Sequence, residues 1–272
     1  MEKINLSERY FELQKEVGNS EAAKIIRIKQ NLEDSLFIFK KNYEELKEVI
    51  ELYYSRKLEK WANENRKNYN DFFLEFQRYF HNFLASVFSL IEHSTVFKKD
   101  LNNKQLNDFY ELALKELISN KCIAFIKDLR IYSQHYKLPL TTSSRGSTHL
   151  ISPEGKLMAI AEKGKKMFLG RLALLKEELT KWGGWSKDSK EFISKYRLII
   201  DSGPVTPKII DVKDIIEIYF GLTEKFYSSF FKKINELYSS SFKQYQKLRY
   251  EMNDVIKLME NNPEFQDHNR MR

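Results

Sequence analysis

The sequence predicts a mainly α protein, a bundle of long helices with a small antiparallel β insertion around 146–170. Three observations carry this. Apolar residues recur at spacings of three and four over most of the chain, the signature of one helix face turned inward. Chain breakers are few, with 9 Gly and 5 Pro in 272 residues. Only between 141 and 171 does the pattern change, to Thr, Ser, Gly and short alternating runs. Aromatic residues make up 14% of the chain, so the helices should enclose an aromatic-rich interior.

Taken in order, Ser7 is a candidate cap for a first helix to about Val17, closed by Gly18-Asn19-Ser20. From Glu21 to about Trp61, Ile25, Ile28, Leu32, Leu36, Phe39, Tyr43, Leu46, Ile50 and Tyr53 form one stripe. The polar run 63–68 breaks it. The next helix carries Phe72, Phe73, Phe76, Tyr79, Phe80, Phe83, Leu84, Val87, Phe88 and Ile91, an arc wide enough to predict the most buried helix. A turn at 100–103 leads to a helix over 104–119, with Leu106, Phe109, Tyr110, Ala113 and Leu117 inward. Asn120 caps a fifth, with Cys122, Ile123, Phe125, Ile126 and Leu129 inward, and Leu138-Pro139 stops it.

Strands are expected at 148–151, 157–161 and 166–169, the first two joined by a type I turn at Ser152-Pro153-Glu154-Gly155. Helix returns over 173–181 until Gly183-Gly184, and Ser186 caps another helix to about Tyr196. After a loop at 202–207, one long helix should run from Asp211 to about Asn261. Its spacing suits an antiparallel partner such as the 21–61 helix, or a second chain. Residues 262–272 are expected to be a disordered tail. With no repeat and no low-complexity linker, 1–272 is expected to be a single helical domain. Its sub-parts would be a bundle (1–140), the β insertion (141–171), the C-terminal helices (172–261) and the tail.

Composition excludes several function classes. Cys122 is the only cysteine, so neither an internal disulfide nor a Cys-rich metal site is available, which suits the reducing cytoplasm. The amino-terminal residues lack the apolar core of a signal peptide. The greasiest run, 83–91, is about half a membrane span, so no membrane partner is expected. Lys and Arg outnumber Asp and Glu by 46 to 38, a net charge of +8. That excess favours phosphate-bearing partners and equally fits an ordinary solvated surface. There is no Gly-rich phosphate loop, and no histidine or cysteine pair has metal-ligand spacing, so neither cofactor nor metal is expected. His81 and His93 lie twelve residues apart on one helix and are expected to be hydrogen-bonded histidines at the core edge.

What remains is the segment from Asp128 to Pro139. Arg130, Tyr132, Gln134 and His135 put a permanent cation, a phenol, an amide and a neutral-range acid–base group within six residues. Arginine grips phosphate oxygens through a fork of N–H donors, and histidine moves a proton near neutral pH. His135 also sits at a helix end whose carbonyls favour its charged form. On a regular helix five positions leave Arg130 and His135 about 140° apart. A distorted last turn, or a second copy of the chain, would be needed to complete a site.

Arg130-x4-His135 near the end of a helix, in an otherwise helical chain, resembles the Arg-x4-6-His signature of the HEPN superfamily. The resemblance covers this motif and the fold class. It implies a homodimer in which the Arg and His of both copies line one cleft, acting as a metal-independent ribonuclease in antiviral defence or as a toxin. Arg130 would then stabilise the developing phosphorane and His135 would handle the 2′-hydroxyl or leaving-group proton, with Asp128, Tyr132 and Gln134 in support. The residue after Arg130, often polar in active members, is Ile131 here, and strands at 141–171 lie outside a minimal bundle. Two other readings stay open. One is a helical subunit that binds nucleic acid without cutting it. The other is a scaffold that docks a protein partner through its long helices, in which Arg130 only caps carbonyls or pairs with Asp128 or Glu116.

Overall fold

The computed structural model describes residues 5–54, 69–136, 141–147, 150–151, 157–158, 168–196, 198–200, 203–205 and 208–262. It is mainly α with small antiparallel sheets. The helices are α1 (Leu6–Asn19), α2 (Glu21–Tyr54), α3 (Tyr69–Leu101), α4 (Lys104–Ile118), α5 (Lys121–His135), α6 (Lys176–Thr180), α7 (Lys187–Lys195), α8 (Val212–Leu237) and α9 (Ser239–Glu260). No described helix is long and apolar enough to cross a membrane.

The strands are β1 (Thr141–Ser147), β2 (Leu150–Ile151), β3 (Leu157–Met158), β4 (Phe168–Leu175), β5 (Leu198–Ile200), β6 (Gly203–Val205) and β7 (Ile209–Asp211). β4 is the centre of a three-stranded antiparallel sheet in the order β1-β4-β7, with Thr141 opposite Leu174 and Ala173 opposite Asp211. β2 pairs with β3, and β5 with β6. β1, β5, β6 and β7 are additions to the predicted strands, β6 falling within the expected loop at 202–207. The helix expected from Ala173 begins only at Lys176, because Leu172, Ala173 and Leu174 are fully buried in β4. The predicted 152–155 turn, the 63–68 break and the 263–272 part of the tail lie outside the described residues.

The chain divides into two compact units. The first contains Met1–Asp34, Ser94–Phe109 and Ser228–Arg272. Here α1 packs on α9, burying Leu13 and Val17, and Arg9 reaches Glu251 at 3.6 Å. The α1 cap is Asn5, not Ser7: its side chain accepts the Glu8 N–H. The connection from α3 to α4 turns through Asn102, whose φ of 45° lies in the left-handed region that asparagine tolerates. The long C-terminal helix expected from 211 to 261 bends at Tyr238 (φ −108°, ψ 18°), giving α8 and α9. The serines that follow Tyr238 compete for backbone hydrogen bonds and propagate a helix poorly. Ser241 turns its hydroxyl outward instead, donating to Glu21 at 2.6 Å.

The second unit contains Ser35–His93 and Tyr110–Tyr227. Its interior is aromatic, as composition predicts. Tyr43 of α2 stacks on Phe220 of α8 with ring centroids 3.8 Å apart, while Phe39 meets Phe83 at 5.6 Å and Tyr219 at 6.1 Å. Lys40 reaches Glu224 at 2.7 Å, so within this unit α2 and α8 pair antiparallel. Each such phenyl ring stabilises by roughly 1.5–3 kcal/mol through burial. The α2 stripe holds: Phe39, Leu46 and Ile50 are buried. The α3 arc is narrower than expected, since Phe88 and Ile91 lie at the surface. The most enclosed helix is α5, with eight of its fifteen residues buried.

One of those eight is Cys122, whose thiol faces the Ile215 carbonyl at 3.6 Å. Burial pushes this thiol up to about 12. It should therefore stay protonated and unreactive at pH 8, with a thiol reagent labelling it only as the protein unfolds in denaturant. Rapid labelling of the native chain would contradict this packing.

Candidate functional site

The candidate motif lies in the second unit on α5, and its placement follows from how α5 is held. Asn120 caps the helix by accepting the Cys122 N–H. At the other end the Tyr136 N–H donates to the Tyr132 carbonyl at 3.0 Å, so the last turn is regular α-helix. Distortion of that turn is thus not available to bring Arg130 and His135 together. They stand about 140° and ~7.5 Å of axial rise apart, as ideal geometry dictates.

Burial shows where that angle lies. Cys122, Phe125, Ile126, Asp128, Leu129, Tyr132 and Ser133 point inward. Lys127, Gln134 and His135 are exposed, and Arg130 and Ile131 are half-buried. Placed at 100° per residue, these five fall within one arc that opens with Arg130, passes Gln134, Lys127 and Ile131, and closes with His135. In the second half of α5 the two motif residues therefore mark the edges of the exposed arc; toward the helix start the same arc is closed by Ile123, which is buried.

Each edge has its own neighbour. The Arg130 guanidinium lies over the Phe88 ring of α3, 3.5 Å from the centroid. It makes no ion pair with any described residue, and its Nε is buried with no hydrogen-bond partner among them. Burial pulls the guanidinium below its usual value, and the negative field of Glu92 opposes that shift. An arginine remains charged regardless. The expected alternatives of Asp128 and Glu116 are both committed elsewhere, Glu116 facing Lys225 at 3.9 Å.

Asp128 is a structural residue. It is buried and accepts two hydrogen bonds through Oδ2, from the Ser186 N–H at 2.8 Å and the Ser189 hydroxyl at 2.6 Å. Ser186 is the predicted cap of α7, and its own Oγ accepts from the Ser189 N–H. Asp128 thus ties α5 to the start of α7. The same pair of helices is joined by Phe125 stacked on Phe192 at 4.8 Å and by Glu191, which contacts both Lys121 and Lys195. Those two ammonium groups hold the Glu191 carboxylate down to about 2.

Tyr132 is fully buried, its ring 5.5 Å from both Trp182 and Trp185 and 5.2 Å from Tyr136. Trp185 is anchored through its Nε1–H to the Leu179 carbonyl at 2.6 Å. Gly184 lets the Trp182 ring close over the backbone, where an added Cβ would come within 2.6 Å of Cε2. This aromatic cluster packs on the buried side of the last turn of α5, at Tyr132. Its signal in the sequence is Trp182-Gly183-Gly184-Trp185, of which local spacing predicts only the helix break at Gly183-Gly184.

Of the other histidines, His93 makes the expected hydrogen bond, Nδ1 with the Ser35 hydroxyl, but is itself exposed. His81 departs from that expectation: its Nδ1 is buried without a partner among the described residues. No group of three or more His, Cys, Asp or Glu among the described residues is placed to hold a metal. Comparison with protein-family models, curated proteins and solved structures finds no match.

The Asp128 clamp has a measurable consequence. Asp128→Ala strands the buried Ser189 hydroxyl and removes the acceptor of the Ser186 N–H, and should destabilise the protein by about 1–3 kcal/mol, with Asp128→Asn less harmful. A denaturant melt of Asp128→Ala superimposable on that of the unaltered chain would refute the clamp.

Proposed function

We propose that this chain is a HEPN-like, metal-independent endoribonuclease that works as a homodimer in the cytoplasm, in an antiviral or toxin role. The observation that supports it is the exposed arc on the second half of α5, edged by an arginine without an ion pair among the described residues and by an exposed histidine. A guanidinium resting on an aromatic ring keeps N–H donors for phosphate oxygens, and a surface imidazole is open to proton exchange. The α5 residues on that face include Lys127 and Arg130 and no acid, since Asp128 is buried.

In this reading the RNA 2′-hydroxyl attacks the adjacent phosphorus and the bond to the 5′-oxygen breaks. His135 takes the attacking proton or supplies the one the leaving oxygen needs. Arg130 neutralises charge on the pentacoordinate phosphorane. One copy supplies one arginine and one histidine; a second α5 face laid against the first supplies the complementary pair. The exposed rim of Phe88 and Ile91 beside Arg130 also favours a second reading, in which this face docks nucleic acid or a protein helix without chemistry.

Cleavage should persist in excess chelator and leave 2′,3′-cyclic or 3′-phosphate ends. His135→Ala should lower its rate by about 10²–10⁴ while RNA binding is retained. Cleavage undiminished in His135→Ala would end the catalytic assignment. Salt-sensitive RNA binding with intact products would favour the non-catalytic reading.

A further inference from the structure

The outward face of α9, in the first unit, joins cations to the most exposed aromatic ring among the described residues, Tyr250 at 71%. The stripe of α9 that suits a helical partner is not this face. It is half-buried, with Tyr245 and Leu248 lining a cleft beside Glu16 and Asn19 of α1. At 100° per residue the opposite side carries Lys243, Tyr250 and Lys257, seven positions apart and within about 40° of one line. Gln246 and Lys247 stand on either side of that line, and all five residues are exposed. Tyr250 makes no ring, cation or hydrogen-bond contact with any described residue. From Ser239 to Tyr250 the helix has the cations Lys243, Lys247 and Arg249 and no acid. The acids that follow are answered locally. Asp254 faces Lys257 at 3.6 Å, and the half-buried Glu251 meets Arg9 at 3.6 Å and Lys247 at 4.0 Å. Glu16 and Glu21 lie along Ser241 and Gln244, at the α1 side, where the Ser241 hydroxyl donates to Glu21.

We infer that this face of α9 binds single-stranded RNA, with Tyr250 stacking on an unpaired base while Lys243, Lys247 and Arg249 take phosphates on its amino-terminal side. A polyanion without a planar group would be held by the cations and leave the ring in water. A nucleotide strand answers both, because each unit joins a flat π face to a phosphate. Lys243 and Lys247 are about 6 Å of rise apart and Tyr250 stands a further ~4.5 Å along, so one strand laid on α9 meets them in succession. The exposed Gln246 amide, one turn before the ring, offers a donor and an acceptor to a base edge. The contact of Lys247 with Glu251 does not withhold the ammonium, since its side chain is 80% exposed and a surface pair that long is weak. Another helix is a poor occupant, because the exposed large apolar side chains of α9 are only Tyr250 and Leu258, too few for a seam. A base inside a duplex keeps its faces covered, so the surface selects single strands. This goes beyond the ribonuclease reading, which concerns α5 in the second unit, and needs no cleavage.

The full chain is titrated with a 2′-O-methyl oligouridylate, which lacks the nucleophile, with an abasic strand of equal length, and with duplex RNA. The oligouridylate should bind tightest and the abasic strand about 5- to 150-fold more weakly, the range for one stacked base. Tyr250→Leu should remove that difference and Tyr250→Phe should keep it. Lys243→Gln combined with Lys247→Gln should lower the slope of log affinity against log salt by about 1.4, at ~0.7 per phosphate contact on a single strand. Lys115→Gln combined with Lys208→Gln, which removes equal charge from exposed positions of the second unit, should leave the slope unchanged. Equal affinity for the abasic strand, binding indifferent to Tyr250→Leu, preference for duplex, or the same fall in slope for both lysine pairs overturns the α9 surface, whether or not RNA is cleaved. Base-dependent binding lost in Tyr250→Leu, without cleavage of ordinary RNA, upholds the surface and removes the ribonuclease. No RNA affinity at low salt overturns both. Because Tyr250 is exposed, its variants should melt with the unaltered chain, and the lysine pair tests the same face independently.

Discussion

A carboxylate removed from water must find its hydrogen bonds inside the protein, and the Asp128 side chain finds them on the turn that begins α7. The Ser186 N–H is one of the four that every helix start leaves without an intrahelical partner, so both groups are satisfied by the same contact. The Ser189 hydroxyl supplies the second bond. Because Oδ2 has a direction as well as a charge, this contact fixes the rotation of α5 about its axis, which greasy packing alone would leave looser. Phe125, Phe192 and Trp185 then fill the space around it. With that rotation set, the exposed face of α5 can only be the one that carries Lys127, Arg130, Ile131, Gln134 and His135.

Arg130 shows why the type of contact matters as much as its presence. Ion pairing with a carboxylate occupies the guanidinium fork and neutralises it. The face of Phe88 attracts the cation through the ring quadrupole and occupies no N–H. The buried Nε, without a partner among the described residues, is a local cost of order 1–3 kcal/mol that an incoming oxygen would relieve. Asp128, only two residues away in sequence, is the natural competitor for this cation. It is withdrawn from that role because Ser186 and Ser189 hold it on the far side of the helix. The clamp that orients α5 therefore also keeps Arg130 uncommitted.

The helical frame was legible because its signals are local. The α2 stripe, the Asn120 and Ser186 caps and the inward set of α5 all depend on neighbours within four residues. What escaped depends on partners far along the chain. Leu172-Ala173-Leu174-Leu175 is apolar enough for helix or strand, and pairing with β1 and β7 decides it. Asp128 was grouped with Arg130 by nearness in sequence, while its partners lie 58 and 61 residues away. Tyr132 was legible in principle, three positions beyond Leu129 on the inward stripe, but the chemistry of its hydroxyl drew attention from its ring. The surface position of Phe88 had no sequence signal, since only the arrival of Arg130 gives that ring a role.

The separation of about 140° between Arg130 and His135 is better understood as a width than as a fault. A pair at four-residue spacing would stack on one line of the helix, leaving little room between them for the phosphodiester of the proposed reading. At five, the long guanidinium and the shorter imidazole border a shallow strip whose middle is Gln134, Lys127 and Ile131. A single helix face offers no second wall, and the proposed chemistry on a phosphate would need one to exclude water. An isologous contact lays a patch against its own copy, so a dimer through this face would provide that wall and repeat the same pair in reverse order. Ile131 would then sit in the middle of a self-contact, where an apolar side chain favours association over ligand chemistry. The balance between those two roles is set by how much of the strip the second copy covers.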